Sequence, residues 1–160
     1  MKITDKYVFF WNGIYSQWYE APMTIDGVLY NCCEQYMMAK KALLFGDTHH
    51  YALIMKSKNP AEQKALGRKV KGFDKDKWEA VCREIVYDAN YAKFTQNPTM
   101  KAELMTTGDK ELVEASPEDK IWGIGLHERD PKSWDKTTWQ GTNWLGEAIT
   151  QVRETLKTEL

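Results

Sequence analysis

The stretch NCCEQYMMAKKALLFG, residues 31–46, decides how the chain begins to fold. Residues 32–45 contain neither Gly nor Pro and stop at Gly46, a pattern that predicts a helix. On such a helix Glu34, Met38 and Lys41 share one face, and Glu34 and Lys41 lie about 10.5 Å apart along the axis. That separation is too long for an i,i+4 salt bridge and suits two groups that converge on one small ligand.

The two charges on this face allow two interpretations. In one, Glu34 and Lys41 are solvated charges on a surface, as we expect for Lys40, which points elsewhere. In the other, the mostly apolar helix is buried and its narrow charged face looks into a cleft. Burial shifts the pKa values of acids and amines towards neutrality, which suits proton transfer and nucleophilic attack. Spacing alone makes the pair a candidate and leaves both interpretations open.

Length and charge exclude some classes of protein. The 160 residues predict a single domain over 1–160, and the formal net charge of −1 argues against a protein that coats phosphate backbones. A pocket that reads one nucleotide remains possible. The chain has no signal-peptide pattern and no apolar run approaching the ~18 residues of a membrane span, so we expect a cytoplasmic protein with no membrane partner.

The cysteines and histidines do not predict a metal site. Cys32, Cys33 and Cys82 form an odd set with no C-x-x-C spacing, which is a poor disulfide framework and suits a reducing compartment. The three histidines show no ligand spacing, so we expect neither a structural metal nor a cofactor.

The turn and helix-capping residues along the rest of the chain predict an α+β fold that is mainly helical, with a few short strands. An Asp-Gly pair predicts a hairpin over 24–30, and LVEAS predicts a short strand over 112–116. Further helices are predicted over 59–67, about 76–95, 97–108 and after Gly146. The long loop 123–143 carries two tryptophans, which argue against disorder.

Eight short blocks then occur in a fixed order along nearly the whole chain. They are FWNGIYSQW (10–18), IDGVLY (25–30), EQYMMAKKA (34–42), LGR (66–68), KFTQNP (93–98), TGDKELVEAS (107–116), DKIWGIG (119–125) and GTNWLG (141–146). Each block alone is weak, but together they resemble the NADAR (NAD- and ADP-ribose-associated, YbiA-like) family. Gln17 stands where that family often has Asn and Gln35 where it often has His, which puts substrate preference in doubt more than activity.

The resemblance implies a compact YbiA-like domain and an N-glycosidase. One substrate type in the family is ADP-ribose on the amino group of guanine in nucleic acid, which implies a cognate ADP-ribosyltransferase toxin. The other is a phosphoribosylamino-pyrimidine intermediate of riboflavin synthesis. Both contain a ribose whose anomeric carbon bears an exocyclic amine. Rival interpretations are a non-catalytic reader of ADP-ribose or NAD and an antitoxin that acts by direct protein contact.

The resemblance also implies a catalytic set of Glu34, Lys41 and Asp119. In one mechanism neutral Lys41 attacks the anomeric carbon, while Glu34, with Asp119 as a further candidate, moves the protons. In the other, Glu34 and Asp119 work as a carboxylate pair around an oxocarbenium-like centre, and Lys41 only holds a phosphate or hydroxyl.

The substrate-binding residues that the resemblance implies are Trp11, Ser16, Trp18, Arg68, Trp122, Gly123, Gly125 and Asn143. Each has a structural alternative. Residues 122–125 could form a tight turn around a core tryptophan, Arg68 could be a surface charge, and Asn143 could cap the last helix, whose N–H groups could otherwise meet a phosphate. His127, Arg129 and Trp134 rank lowest among the candidates.

Overall fold

A computed structural model describes residues 1–159 and forms six α-helices and five short strands over that range. The strands are β1 (Lys2–Ile3), β2 (Tyr7–Phe10), β3 (Met23–Ile25), β4 (Val28–Tyr30) and β5 (Glu111–Glu114). The helices are α1 (Cys33–Leu44), α2 (Thr48–Lys56), α3 (Pro60–Gly67), α4 (Lys75–Gln96), α5 (Pro98–Thr106) and α6 (Trp144–Thr158). The predicted α+β class, mainly helical, is confirmed.

The chain divides into two compact units. One unit is Gln17–Asn97, and the other combines Met1–Ser16 with the chain from Pro98 onwards. The prediction of a single domain over 1–160 stays a prediction. Within the described residues, no helix is both long enough and apolar enough to cross a membrane.

In the unit Gln17–Asn97, α1 packs against α2, α3 and α4. The β3–β4 hairpin is confirmed, and its turn places Asp26 at φ 51° and Gly27 at φ 80°, the left-handed values that an Asp-Gly turn tolerates. Helix α2 was missed by the sequence analysis. It begins directly after the predicted stop at Gly46, with the carboxylate of Asp47 accepting the N–H of His50 at 3.0 Å.

In the other unit, three strands form a sheet in the order β1-β2-β5. β1 and β2 are antiparallel, whereas β2 and β5 are parallel, with Val8 opposite Leu112. α6 packs on β5. Residues of β2 and β5 contribute to a core cluster of five buried residues: Phe9, Val113, Ala115, Ile124 and Leu126.

The long loop is ordered by its own hydrogen bonds. Two short 3-10 turns, Pro131–Trp134 and Lys136–Thr138, are capped by the carboxylates of Asp130 and Asp135. The indole of Trp139 donates to the carbonyl of Ser133 at 2.7 Å. The expectation that tryptophans exclude plain disorder here agrees with these contacts.

Candidate active site

Glu34 lies in the first turn of α1 and is buried, with 4% of its surface exposed. Its backbone N–H donates to the carbonyl of Gln17 at 3.0 Å, which fixes the start of the helix. The interpretation of Glu34 as a solvated surface charge is therefore wrong. A carboxylate is rarely buried without a specific partner or function.

Lys41 lies two turns further along α1 and is half-buried among aromatic rings. Its Nζ atom lies 4.7 Å from the ring centroid of Phe73 and 5.9 Å from that of Trp78. Burial lowers the pKa of Lys41, the charge of Glu34 partly offsets that effect, and the charge of Arg68 lowers the pKa further. The amine is thus shifted towards its neutral, nucleophilic form.

Arg68 follows the last residue of α3 and is exposed. A Cβ atom on Gly67 would lie 2.9 Å from Cγ of Met38 and closer still to its Sδ, so a larger residue there would force the Met38 side chain to move. The charge of Arg68 is one of the influences that lower the pKa of Lys41. Within this unit, the charges of Glu34 and Arg68 both influence the pKa of Lys41, and all three are residues that the sequence singled out.

Lys93 is a buried lysine that the sequence analysis did not single out. It lies on α4 with 0% of its surface exposed, and burial lowers its pKa while Cys33 and Cys32 partly offset the effect. Burial likewise raises the pKa of the Cys33 thiol to about 12. Lys93 therefore sits beside the first turn of α1, where Glu34 also lies. The sequence did contain an indication that Lys93 is buried, because it lies four residues after Ala89 and so falls on the apolar stripe of α4.

Gln17 is a second residue that the sequence analysis left out of the site. Its Oε1 atom accepts a hydrogen bond from Nδ2 of Asn90 at 3.0 Å. Oδ1 of Asn90 in turn accepts from the thiol of Cys33, with the sulfur 3.8 Å away. Among the described residues, the buried Nε2 atom of Gln17 has no hydrogen-bond partner. A buried donor of this kind is costly unless something uses it.

The catalytic candidate Asp119 belongs to the other unit, where it organises a turn. Its Oδ1 atom accepts the backbone N–H groups of Ile121 at 2.9 Å and Trp122 at 2.8 Å. The Trp122 ring is half-buried and lies edge-on to Trp144, with the ring centroids 5.7 Å apart. These contacts give both residues a structural role, and their catalytic and binding roles stay predictions.

The glycines of this turn let it pack on itself. A Cβ atom on Gly123 would lie 2.9 Å from the carbonyl oxygen of Glu114. Gly125 has φ 70°, and a Cβ atom there would lie 3.0 Å from Cγ of Lys120. The structural alternative, a tight turn, accounts for both glycines, and their contact with a substrate stays a prediction.

Four backbone N–H groups at the start of α6 already donate hydrogen bonds within the protein. The N–H groups of residues 142–145 donate to the carbonyls of residues 120–123 at 3.0 to 3.2 Å. The preceding turn therefore occupies these four N–H groups, and contact of this segment with a phosphate stays a prediction.

Asn143 stands at the N-cap of α6, yet its side chain does not cap that helix. Its Oδ1 atom accepts the N–H of Glu114 at 2.9 Å, and its Nδ2 atom donates to the carbonyl of Leu112 at 3.1 Å. The residue is 1% exposed and has φ 54°, in the left-handed region. The side chain fastens α6 to β5, so the capping alternative is wrong, and contact of Asn143 with a substrate stays a prediction.

Two further candidates, Ser16 and Trp18, lie close in sequence to the boundary between the two units. The N–H of Ser16 donates to the carbonyl of Gly13 at 3.0 Å, which closes a 3-10 turn. Trp18, in the unit Gln17–Asn97, is 44% exposed, and Nζ of Lys64 lies 5.9 Å from its ring centroid. Substrate contacts of both residues stay predictions.

Trp11 and the candidates of the long loop, His127 and Trp134, contact one another or the loop backbone. Trp11 is exposed and lies edge-on to His127, with ring centroids 6.0 Å apart. Nδ1 of His127 accepts the N–H of Arg129 at 3.1 Å, and the indole of Trp134 donates to the carbonyl of Glu128 at 2.9 Å. Their roles in binding also stay predictions.

Comparison with known proteins identifies the family. The NADAR domain matches residues 9–157. An N-glycosidase of Acanthamoeba polyphaga mimivirus is 42% identical over 94% of this chain and 96% of its own. A riboflavin biosynthesis protein of Vibrio vulnificus is 27% identical over 91% of this chain and 36% of its own. The NMR structure of Escherichia coli YbiA superimposes with a TM-score of 0.80 and 26% identity, covering 99% of this chain and 89% of that one. The chain belongs to the NADAR family.

Proposed function

We propose that this chain is an N-glycosidase that hydrolyses the bond between ribose C1 and an exocyclic amine. One observation carries the proposal. The amine of Lys41 is half-buried, burial lowers its pKa, and it shares a helix face with the buried carboxylate of Glu34. A nucleophilic amine and a carboxylate are the two groups that this reaction needs. The similarity to a viral N-glycosidase supports the same activity.

The first chemical step is a transimination. The C1–O bond of the amine glycoside breaks as the ring oxygen takes up a proton and becomes a hydroxyl, which leaves an iminium ion at C1. The neutral amine of Lys41 then adds to that carbon. The C1–N bond to the base then breaks, and the departing amine takes up the proton that the lysine nitrogen releases. Glu34 carries this proton between the two nitrogens. The base leaves as its free amine, and the sugar remains on Lys41 as a protonated Schiff base.

The second step is hydrolysis. Glu34, as a carboxylate, takes a proton from water as the oxygen adds to C1. The C1–N bond to Lys41 then breaks, the nitrogen takes up a proton, and the sugar leaves as an aldehyde that closes to free ribose. Asp119 is a proposed second proton carrier.

A direct mechanism would skip the covalent intermediate and use Lys41 only to hold a phosphate or hydroxyl. Borohydride added during turnover distinguishes the two mechanisms, because it reduces a Schiff base to a stable amine. We expect the intact mass to increase by one reduced sugar, located on Lys41. Turnover with no adduct on Lys41 would contradict the covalent mechanism.

ADP-ribose attached to guanine in nucleic acid is the proposed substrate, which an ADP-ribosyltransferase must supply. The second candidate is a phosphoribosylamino-pyrimidine, because a relative is named a riboflavin biosynthesis protein. A non-catalytic ADP-ribose reader is less consistent with the buried Glu34 and the lowered pKa of Lys41, since binding alone requires neither.

The test is to incubate the protein with an oligonucleotide ADP-ribosylated on guanine and to measure unmodified strand and free ADP-ribose by mass spectrometry. We expect release to be lost in Lys41→Ala and Glu34→Ala. Lys40→Ala, one residue away on another part of α1, is the matched control and retains release. Lys41→Arg keeps the charge but not the nucleophile, and we expect it to be inactive as well. No release by the unmodified protein would direct the assay to phosphoribosylamino-pyrimidines, and failure there would contradict the proposal.

A further inference from the structure

Asp47 joins the end of α1 to the segment 68–74, which connects α3 to α4. The backbone N–H of Asp47 donates to the carbonyl of Ala42 at 2.9 Å, which fixes its position relative to the last turns of α1. The Oδ2 atom of its buried side chain accepts the backbone N–H of Lys71 at 2.8 Å. One carboxylate thus ties together two parts of the unit Gln17–Asn97 that are 24 residues apart in the chain.

The contact with Lys71 is additional to the capping of α2. The N–H of His50 donates to Oδ1 of Asp47 at 3.0 Å, and this bond alone caps the helix. Nδ1 of the His50 ring lies 2.7 Å from Oδ2, so both oxygens of the carboxylate have partners on α2. His50 therefore holds the carboxylate in the orientation in which Oδ2 also reaches Lys71.

The segment that Asp47 holds carries an aromatic ring onto the amine of Lys41. Nζ of Lys41 lies 4.7 Å from the ring centroid of Phe73, which stands two residues after Lys71. Gly72, between them, turns the chain at φ 79°. The position of the Phe73 ring over the amine thus depends on where the backbone of the segment is held.

The Phe73 ring gains only part of the stabilisation that full burial gives, because 47% of the residue is exposed. Burial is nevertheless the largest influence that lowers the pKa of Lys41. The charges that act on this amine are those of Glu34 on α1 and Arg68 after α3, while α4 faces it with the uncharged ring of Trp78. A segment that moved away would leave the amine more solvated and its pKa higher.

Direct electrostatic action of Asp47 on Lys41 would have the opposite sign. A carboxylate raises the pKa of a nearby amine, so by that route the loss of Asp47 would make Lys41 more often neutral. Loss of the support for Phe73 makes Lys41 less often neutral. The sign of the change therefore separates the two routes.

We propose that Asp47 is a positioning residue for Lys41, which holds the backbone of Lys71 so that the Phe73 ring covers the amine. This inference rests on the proposed function, in which neutral Lys41 attacks C1, and deepens it with the contact that keeps water from that amine. The effect of Asp47 passes through the position of Phe73.

Asp47→Ser tests this role while it leaves α2 capped. The serine hydroxyl accepts the N–H of His50, as capping serines do, but it has no second oxygen to accept the N–H of Lys71. Phe73→Ala removes the ring itself at a position that is already exposed. Both variants are therefore expected to fold, which thermal unfolding checks.

The measurement is the reactivity of the Lys41 amine without substrate. Acetic anhydride acetylates neutral amines, and peptide mass spectrometry compares Lys41 with exposed Lys56 as the internal reference. The ratio of the labelling rate at about pH 8 to that at about pH 11 cancels differences in access of the reagent. We expect this ratio to fall about threefold in Asp47→Ser and in Phe73→Ala, because a more solvated amine is more often protonated at the lower pH. Phe73→Leu keeps an apolar side chain over the amine and most of the ratio.

Three further variants separate positioning from loss of stability. Asp47→Ser combined with Phe73→Ala should give the same ratio as Phe73→Ala alone, because both act through one ring. Lys71→Ala keeps the backbone N–H that Asp47 binds and should leave the ratio unchanged. Gln96→Ala removes two hydrogen bonds to Thr24 at the other end of α4, so it weakens the same unit and should also leave the ratio unchanged.

The outcomes separate this inference from the function on which it rests. An unchanged or higher ratio in Asp47→Ser overturns the positioning role, and so does a double variant in which the two losses add. The expected ratios in a protein that releases no sugar support the positioning of Lys41 and contradict the glycosidase. In an active protein, the kcat of Asp47→Ser should fall at neutral pH, recover as the pH is raised and leave KM unchanged. An unchanged kcat would overturn the role.

Discussion

Replacing Asn143 tests whether this residue holds the fold together or binds substrate. Its side chain is 1% exposed and makes two hydrogen bonds to the backbone of β5, at 2.9 and 3.1 Å. Asn143→Ala removes both and leaves the N–H of Glu114 and the carbonyl of Leu112 without these partners. It also places alanine at φ 54°, which glycine tolerates and alanine does not.

The free energy of unfolding should fall by an amount set by these two effects. Each buried backbone group left without its partner costs about 1–3 kcal/mol, and alanine at this φ adds about 1 kcal/mol relative to glycine. A central value of about 5 kcal/mol corresponds to a melting temperature lower by roughly 10–20 °C for a chain of this size. Asn143→Gly avoids the φ penalty and should be the less damaging replacement.

Differential scanning calorimetry of both variants measures the effect, with Asn12→Ala as the matched control. Asn12 is exposed, and its side chain makes no capping hydrogen bond, so its replacement should change stability by less than about 0.5 kcal/mol. If Asn143→Ala melts with the wild-type protein and only the KM of the glycosidase rises, the structural assignment is refuted and the residue binds substrate.

Two further predictions follow from local contacts. Gly67→Ala should lower the free energy of unfolding by about 1–3 kcal/mol, because the added Cβ meets the side chain of Met38. Combining it with Met38→Ala should lower the free energy of unfolding by less than the sum of the two single changes. If denaturant unfolding shows that the two losses add, the contact is contradicted. The hydrogen bonds from the backbone N–H groups of His50 and Lys71 hold the pKa of Asp47 below its usual range. Since this folded-state pKa is lower than that of the unfolded chain, the stabilisation is complete above the ordinary Asp pKa of about 4 and is lost as pH falls below it. Asp47→Asn should therefore show a shallower loss of stability in acid, and an unchanged slope would argue against this role.

Local signals in the sequence predicted most of the elements. Asn59 and Pro60 start α3 where expected, with Oδ1 of Asn59 accepting the N–H of Ala61 at 2.8 Å. The Asp-Gly pair makes the predicted hairpin turn, because the φ values it needs depend on those two residues alone. The shared helix face of Glu34 and Lys41 was likewise predictable, since helical periodicity is a local property.

The tertiary structure decided which of these groups are buried and what they contact. The sequence allowed Glu34 to be a surface charge, and it did not reveal Lys93, because burial depends on which helices pack over a position. Asn143 finds its partners about thirty residues earlier in the chain, and β2 pairs with a strand about a hundred residues later. Periodicity and turn residues report only on near neighbours, whereas hydrogen bonds and desolvation across such separations exist only once the elements have assembled.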